Sequence, residues 1–346
     1  MIKLPQQKSI LGVFYMHINN SMTGNDRQAN KPFKDITKTG KTRPWREKKV
    51  ANVTYAELLQ ILEFKKSNNV KQCGEVLEFK PSDTGHLKLY RAWFCKSKLC
   101  PVCNWRRAMK QSYQSQRVVE EVLKEYPSSR WLFLTLTIKN VWTGEELNKS
   151  LSHMTKAFNK LKQYKKVSKN LIGFMRATEI TVNKENGSYN QHMHILLSVK
   201  YNFFLNKENY ITQSEWTDLW QRALQVDYRP IVNIRAIKPN KKKDSAITSA
   251  IKETAKYSVK SSDYLTDDLE SNLKAVEDLE RGLYAKRLIS YGGALKTAHK
   301  RLNLDDNEDG DLIHTSDDEI SETESKANSI IAIFNYEKQD YYLKNE

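Results

Sequence analysis

The run Gln191-His192-Met193-His194-Ile195-Leu196-Leu197 constrains this chain more than any other stretch. Histidines at i and i+2 leading into an apolar run fit a strand, in which alternate side chains share a face. Two neutral imidazoles at that spacing suit a single divalent metal ion. An isolated His-x-His more often just faces water or a polar neighbour, so its surroundings must decide. Upstream, Trp131-Leu132-Phe133-Leu134-Thr135-Leu136-Thr137-Ile138 predicts another strand, with Thr135 and Thr137 on a common face. Residues 171–182 and 191–199 predict two strands joined through Asn186-Gly187, a hairpin signal. Glu179 then falls across from the histidines, as a metal ligand or as a group that orients an imidazole.

Helix patterns near 145–164, at 213–225 and from Ser245 alternate with these strands and with one at 231–237. That order predicts an α+β fold, an antiparallel sheet with helices on one face. A helix over 54–66 is expected, opened by a Thr54 cap with Glu57 three residues on. Residues 1–50 show little periodicity and read as a flexible basic arm.

All four cysteines, Cys73, Cys95, Cys100 and Cys103, fall in one short stretch. In a chain expected to be cytoplasmic, that spacing fits a tetrahedral zinc site better than disulfides, with reduced free thiols as the alternative. The Glu75–Phe94 stretch predicts a β-hairpin, turning at Asp83-Thr84-Gly85, that returns Cys73 to the Cys100-x-x-Cys103 knuckle. Four thiolates leave no open coordination position, so such a zinc is structural. The following helix, Asn104–Leu123, carries Arg106, Arg107 and Lys110 as candidate DNA-phosphate contacts.

The net charge is +16, and residues 305–324 hold ten acids with no lysine or arginine, so the rest of the chain is more basic still. Such an excess favours nucleic acid as a partner through counterion release. No apolar run nears the roughly 20 residues needed to span a bilayer, and no Walker-type phosphate loop occurs.

A strand, a histidine pair and the segment Glu253-Thr254-Ala255-Lys256-Tyr257-Ser258-Val259-Lys260, in that order, resemble the three motifs of the HUH endonucleases. The wording around Cys100-Pro101-Val102-Cys103-Asn104-Trp105-Arg106-Arg107 and Arg176-Ala177-Thr178-Glu179 is similar to the replication initiator family of rolling-circle plasmids from Gram-positive bacteria. The resemblance spans roughly residues 70–300 and implies an HUH-type sheet, Mg²⁺ or Mn²⁺ on His192, His194 and Glu179, and Tyr257 as nucleophile. It further implies that Glu253 activates a water at termination, where the plainer alternative is a helix-surface ion pair of Glu253 with Lys256 or Lys260. Those two lysines are candidate cations beside the nucleophile, and Lys256 is also a candidate DNA contact. A phenol with a pKa of about 10 needs that help near neutral pH. The implied partners are plasmid origin DNA, double-stranded and as a single-stranded hairpin loop, with a host helicase and DNA polymerase. Relaxases and transposases of the HUH type, and a zinc-containing DNA-binding regulator without catalysis, are the competing readings.

The expected division is a basic arm (1–50), a helix and zinc module (51–125), an HUH nicking domain (126–263), a helical C-terminal region (264–304) and an acidic, largely disordered tail (305–346). A break falls at Gly292-Gly293, and the last twenty residues are expected to add a short helix.

Overall fold

The computed structural model describes residues 31–346 apart from 84, 238–245, 255–257, 307, 316–319 and 345–346. In chain order its elements are α1 (Trp45–Ile61), α2 (Ser67–Lys71), β1 (Val76–Pro81), β2 (Leu87–Ala92), α3 (Pro101–Glu125), β3 (Arg130–Thr137), α4 (Gly144–Gln163) and α5 (Lys165–Ser168). There follow β4 (Leu171–Val182), β5 (Tyr189–Val199), α6 (Gln213–Leu224), β6 (Val232–Ile237), α7 (Ala246–Thr254), α8 (Leu269–Gly282), β7 (Ile289–Gly293) and α9 (Ala294–Arg301). A short α10 (Glu322–Lys326) and the strands β8 (Ile330–Asn335) and β9 (Asp340–Leu343) complete the described chain.

The central sheet has the order β6-β3-β5-β4-β7, with every neighbouring pair antiparallel. Strict alternation along β3 and β5 creates two apolar faces. Leu132, Leu134, Leu136, Met193, Ile195 and Leu197 point to one, where Met154, Phe158 and Leu161 of α4 and Trp216, Trp220 and Leu224 of α6 cover them. Both covering helices open with a complete capping box, at Thr143 with Glu146 and at Thr212 with Glu215. Trp131, Phe133, Met175 and Leu196 point the other way, onto Val118, Val119 and Val122 of α3, Ala250 and Ile251 of α7, and Leu295 and Ala298 of α9. Helices therefore cover both faces, not the single face that the sequence order suggested. The opposite-face histidine strand thus lies in a partly enclosed layer beneath α7.

The predicted helix at 54–66 starts earlier, at Trp45, directly after Pro44, and Thr54 returns its hydroxyl to the Val50 carbonyl instead of capping. Its first turns hid from a hydropathy reading because Lys49 and Asn52 are buried polar residues. The break at Gly292-Gly293 is itself a strand. β7 pairs with β4 so closely that a Cβ on Gly292 would lie 2.0 Å from the Phe174 ring, and Gly293 adopts φ +58°.

The largest departure is the C-terminal tail. Beyond α10, β8 pairs with β1 and β9 with β8, giving a second antiparallel sheet of order β2-β1-β8-β9. The expected helix near the end is thus a hairpin, and Phe334 and Tyr341 are buried in the same apolar cluster as Cys73, Cys100 and Cys103. Phe334 packs edge-on against Tyr336 and Tyr341, with ring centroids 5.3 and 5.2 Å away. Phe334→Ala is expected to cost about 3–5 kcal/mol of unfolding free energy, read from the midpoint of a denaturant titration. A midpoint equal to wild type would mean that this hairpin does not support the fold.

Candidate active site

His192 and His194 of β5 lie between Thr137 and Thr135 of β3 on one side and Glu179 and Ala177 of β4 on the other. Register alone brings the hairpin carboxylate to the histidines. One oxygen of Glu179, Oε2, lies 3.1 Å from His192 Nε2 and 2.9 Å from His194 Nε2. Burial acts to raise the Glu179 carboxyl, yet hydrogen bonds and charge from the two imidazoles outweigh it and hold the group well below the usual carboxylate range. The other ring nitrogens are also engaged: His192 Nδ1 meets Asn190 Oδ1 at 3.2 Å, and His194 Nδ1 meets Thr135 Oγ1 at 3.3 Å. Thr135 therefore belongs to the site, whereas Thr137 gives its hydroxyl to the Ile231 carbonyl. Two nitrogens and one carboxylate oxygen, all within 4.8 Å of one another, are a donor set that fits one divalent cation with coordination positions to spare.

Lys260 approaches the same carboxylate, its Nζ 3.6 Å from Glu179 Oε1, and is about half exposed. Glu253, in the last turn of α7, pairs with Arg235 of β6. Arg235 in turn lies over the Phe133 ring, 4.6 Å from its centroid, and Phe133 stacks on the His194 ring at 5.6 Å. The end of α7 is held from below by Gln111, whose amide donates to the Thr254 carbonyl at 3.2 Å. Tyr257 and Lys256 lie outside the described residues. The described chain resumes at Ser258, whose carbonyl accepts from the backbone N–H of Ile180, the residue after Glu179, at 2.8 Å.

The cysteines form a second cluster. Cys73 Sγ lies 3.5 Å from Cys103 Sγ and 3.6 Å from Cys100 Sγ, while Cys95 Sγ is 3.7 Å from Cys103 Sγ. All four thiols are free, and their sulfurs lie within 4.8 Å of one another. Tetrahedral zinc with bonds of about 2.3 Å requires sulfurs roughly 3.8 Å apart, so the set fits that ion. Asn52 Nδ2 and the Cys103 N–H donate to Cys100 Sγ, and the Cys95 N–H to Cys73 Sγ, as supports for thiolates. The hairpin of β1 and β2 brings Cys73 back to the knuckle as expected.

Residues 86–342 match the replication protein family. The chain belongs to that family. A protein named "Protein rep" from Lactiplantibacillus plantarum is 51% identical over 313 residues, covering 90% of this chain and 98% of that one. A "Replication protein" from Staphylococcus aureus is 57% identical over 236 residues, covering 68% of this chain and all of that one. A "Protein rep" from Streptococcus pneumoniae is 45% identical over 315 residues, covering 90% and 95%. No solved structure matches the chain.

In this family member the three cations of α3 read as DNA contacts are not at the surface. Arg106, Arg107 and Lys110 are 2, 8 and 1% exposed. Arg106 donates to the carbonyls of Leu312 and Ile313, and Arg107 to that of Glu308. Lys110 Nζ sits among Asp305 Oδ2, the Asp306 carbonyl and the Asp311 carbonyl at 2.5, 3.0 and 2.8 Å. These cations anchor the first half of the acidic segment, and their burial removes the exposure that a phosphate contact needs. The reason is charge: buried guanidinium and ammonium groups require full hydrogen bonding, and an acidic loop supplies it. Sequence reasoning also missed Arg235. Its partners, Phe133 and Glu253, lie on two other elements, and no local pattern around Arg235 pointed to them. Among the described residues no helix is long and apolar enough to cross a membrane.

Proposed function

We propose that this replication protein initiates rolling-circle replication of a plasmid by nicking one strand of its origin. The observation that carries the reading is the meeting of Glu179, His192 and His194 on the sheet face beneath α7, the helix leading into the segment with Tyr257. The sheet order and this histidine placement support an HUH-type catalytic unit.

In this reading His192, His194 and Glu179 would hold Mg²⁺ or Mn²⁺, which would supply positive charge to the scissile phosphate. Tyr257 attacks phosphorus, the P–O bond to the 3′ oxygen breaks, and the chain keeps a 5′-phosphotyrosine. The freed 3′-hydroxyl primes synthesis by a host polymerase, with a host helicase opening the duplex. Lys260, near Glu179, offers positive charge to the reacting strand, as does Lys256. At termination Glu253 takes a proton from water as the oxygen attacks phosphorus and the Tyr257 oxygen leaves. The four-cysteine cluster would hold a structural zinc ion. Tyrosine conserves the phosphoester for rejoining, whereas water ends the cycle.

The test uses supercoiled DNA of the replicon that encodes the protein, with Mn²⁺ or Mg²⁺. Wild type is expected to nick and become covalently attached, Tyr257→Phe to do neither, and Glu253→Ala to nick but accumulate adduct. Nicking by Tyr257→Phe at the wild-type rate would remove the tyrosine from its role. Binding without cleavage under every metal would favour a non-catalytic regulator.

A further inference from the structure

We infer that Arg235 is the positioning residue for Glu253, an assignment that rests on the nicking reading above. Glu253 is in the last turn of α7 with its side chain partly exposed, and a glutamate has several rotamers open to it. One contact restricts it, and a second holds the group that makes that contact. Arg235 donates a hydrogen bond to Glu253 Oε2, a charge-assisted pairing. The guanidinium is itself fixed, because its plane lies over Phe133, and Phe133 is buried and stacked on His194. A chain of contacts therefore runs from the histidine site, through an aromatic ring and an arginine, to the carboxylate.

The register explains why it can. Arg235 is directly opposite Phe133 in the β3–β6 pair, and Thr135, two residues on from Phe133, is opposite His194. β6 is an edge strand of the sheet, so the Arg235 side chain remains half exposed while its guanidinium lies over Phe133. With Oε2 engaged by Arg235, Oε1, which has no partner among the described residues, is the oxygen left to take a water proton. The step is the hydrolysis already written: water oxygen to phosphorus, proton to Glu253, Tyr257 oxygen released. Arg235 changes none of those bonds; it sets where the carboxylate stands.

The test measures two rates on one labelled single-stranded oligonucleotide spanning the nick site: formation of the covalent adduct, and its release by water. Arg235→Gln is expected to slow release about tenfold further than it slows adduct formation, since a base misplaced by an ångström forfeits much of its general-base advantage. Arg235→Lys, which keeps the charge but not the planar fork, should recover part of the loss. The double variant Arg235→Gln/Glu253→Ala should release no more slowly than Glu253→Ala alone, as for residues acting through one another. Equal slowing of both rates by Arg235→Gln, or additive losses in the double variant, would overturn the assignment. Normal release by Glu253→Ala would instead overturn the termination role of Glu253, and adduct formation by Tyr257→Phe the nicking reading.

Discussion

Glu179→Gln is expected to lower Mn²⁺ affinity and the rate of DNA nicking together, each by about 100-fold or more, the upper end of what removing a metal-supporting group costs. The amide keeps the size of the carboxylate but not its charge. It offers one carbonyl oxygen where Glu179 now presents Oε2 to both imidazoles. It also cannot balance a divalent cation that two neutral histidines leave uncompensated. Lys260 would lose its anionic neighbour at 3.6 Å as well. Calorimetric titration with Mn²⁺ and a nicking time course provide the two readouts. Unchanged Mn²⁺ affinity with a fall in nicking of less than about 10-fold would make Glu179 an orienting partner of the histidines.

Cys100→Ser, or removal of metal by a chelator, is expected to unfold the cysteine module and to slow nicking with it. Structural zinc in small peptides contributes about 10–16 kcal/mol of apparent binding free energy at neutral pH, comparable with the whole stability of a domain. Cys100 also starts α3, where its sulfur accepts from the Cys103 N–H and from Asn52. The catalytic consequence follows from continuity of packing. Val259 and Tyr264, just beyond the tyrosine segment, are buried in the same apolar cluster as Cys100 and Cys103, and Tyr264 donates to the Leu99 carbonyl. Metal analysis of the purified protein should find one zinc per chain, and the chelated protein should melt lower and nick more slowly. A metal-free protein with an unchanged melting curve would leave four reduced thiols as the description of the cluster.

Local patterns were legible where the signal and its structural cause lie close together in sequence. The paired strands at 171–182 and 189–199, with Gly187 at φ +68° in the turn, follow from alternation and from Asn186-Gly187. Glu179 facing His192 follows from that same hairpin. Features set by distant partners stayed hidden. Arg106, Arg107 and Lys110 look like surface cations until the carbonyls of residues 305–313 fold over them. An acidic segment looks self-repelling until those cations are beneath it. Arg235 gains its meaning only from Phe133 and Glu253, which lie on two other elements. β8 and β9 are short, ordinary strands whose placement depends on β1, about 250 residues earlier in the chain.

That last pairing also bears on synthesis. Val76 waits for Ile333 before its strand gains its second neighbour. At roughly 5–20 residues per second, a ribosome needs on the order of 10–50 s to make the intervening chain. Throughout that interval β1 is an open edge, the kind of surface that invites pairing with another nascent chain. The histidine-bearing strand β5 emerges well before β8 can join β1, so a growing polypeptide holds the Glu179, His192 and His194 cluster long before the second sheet is complete. Slower translation of the final third of the message is therefore expected to raise the aggregated fraction of the product, read from the pellet after centrifugation of the lysate.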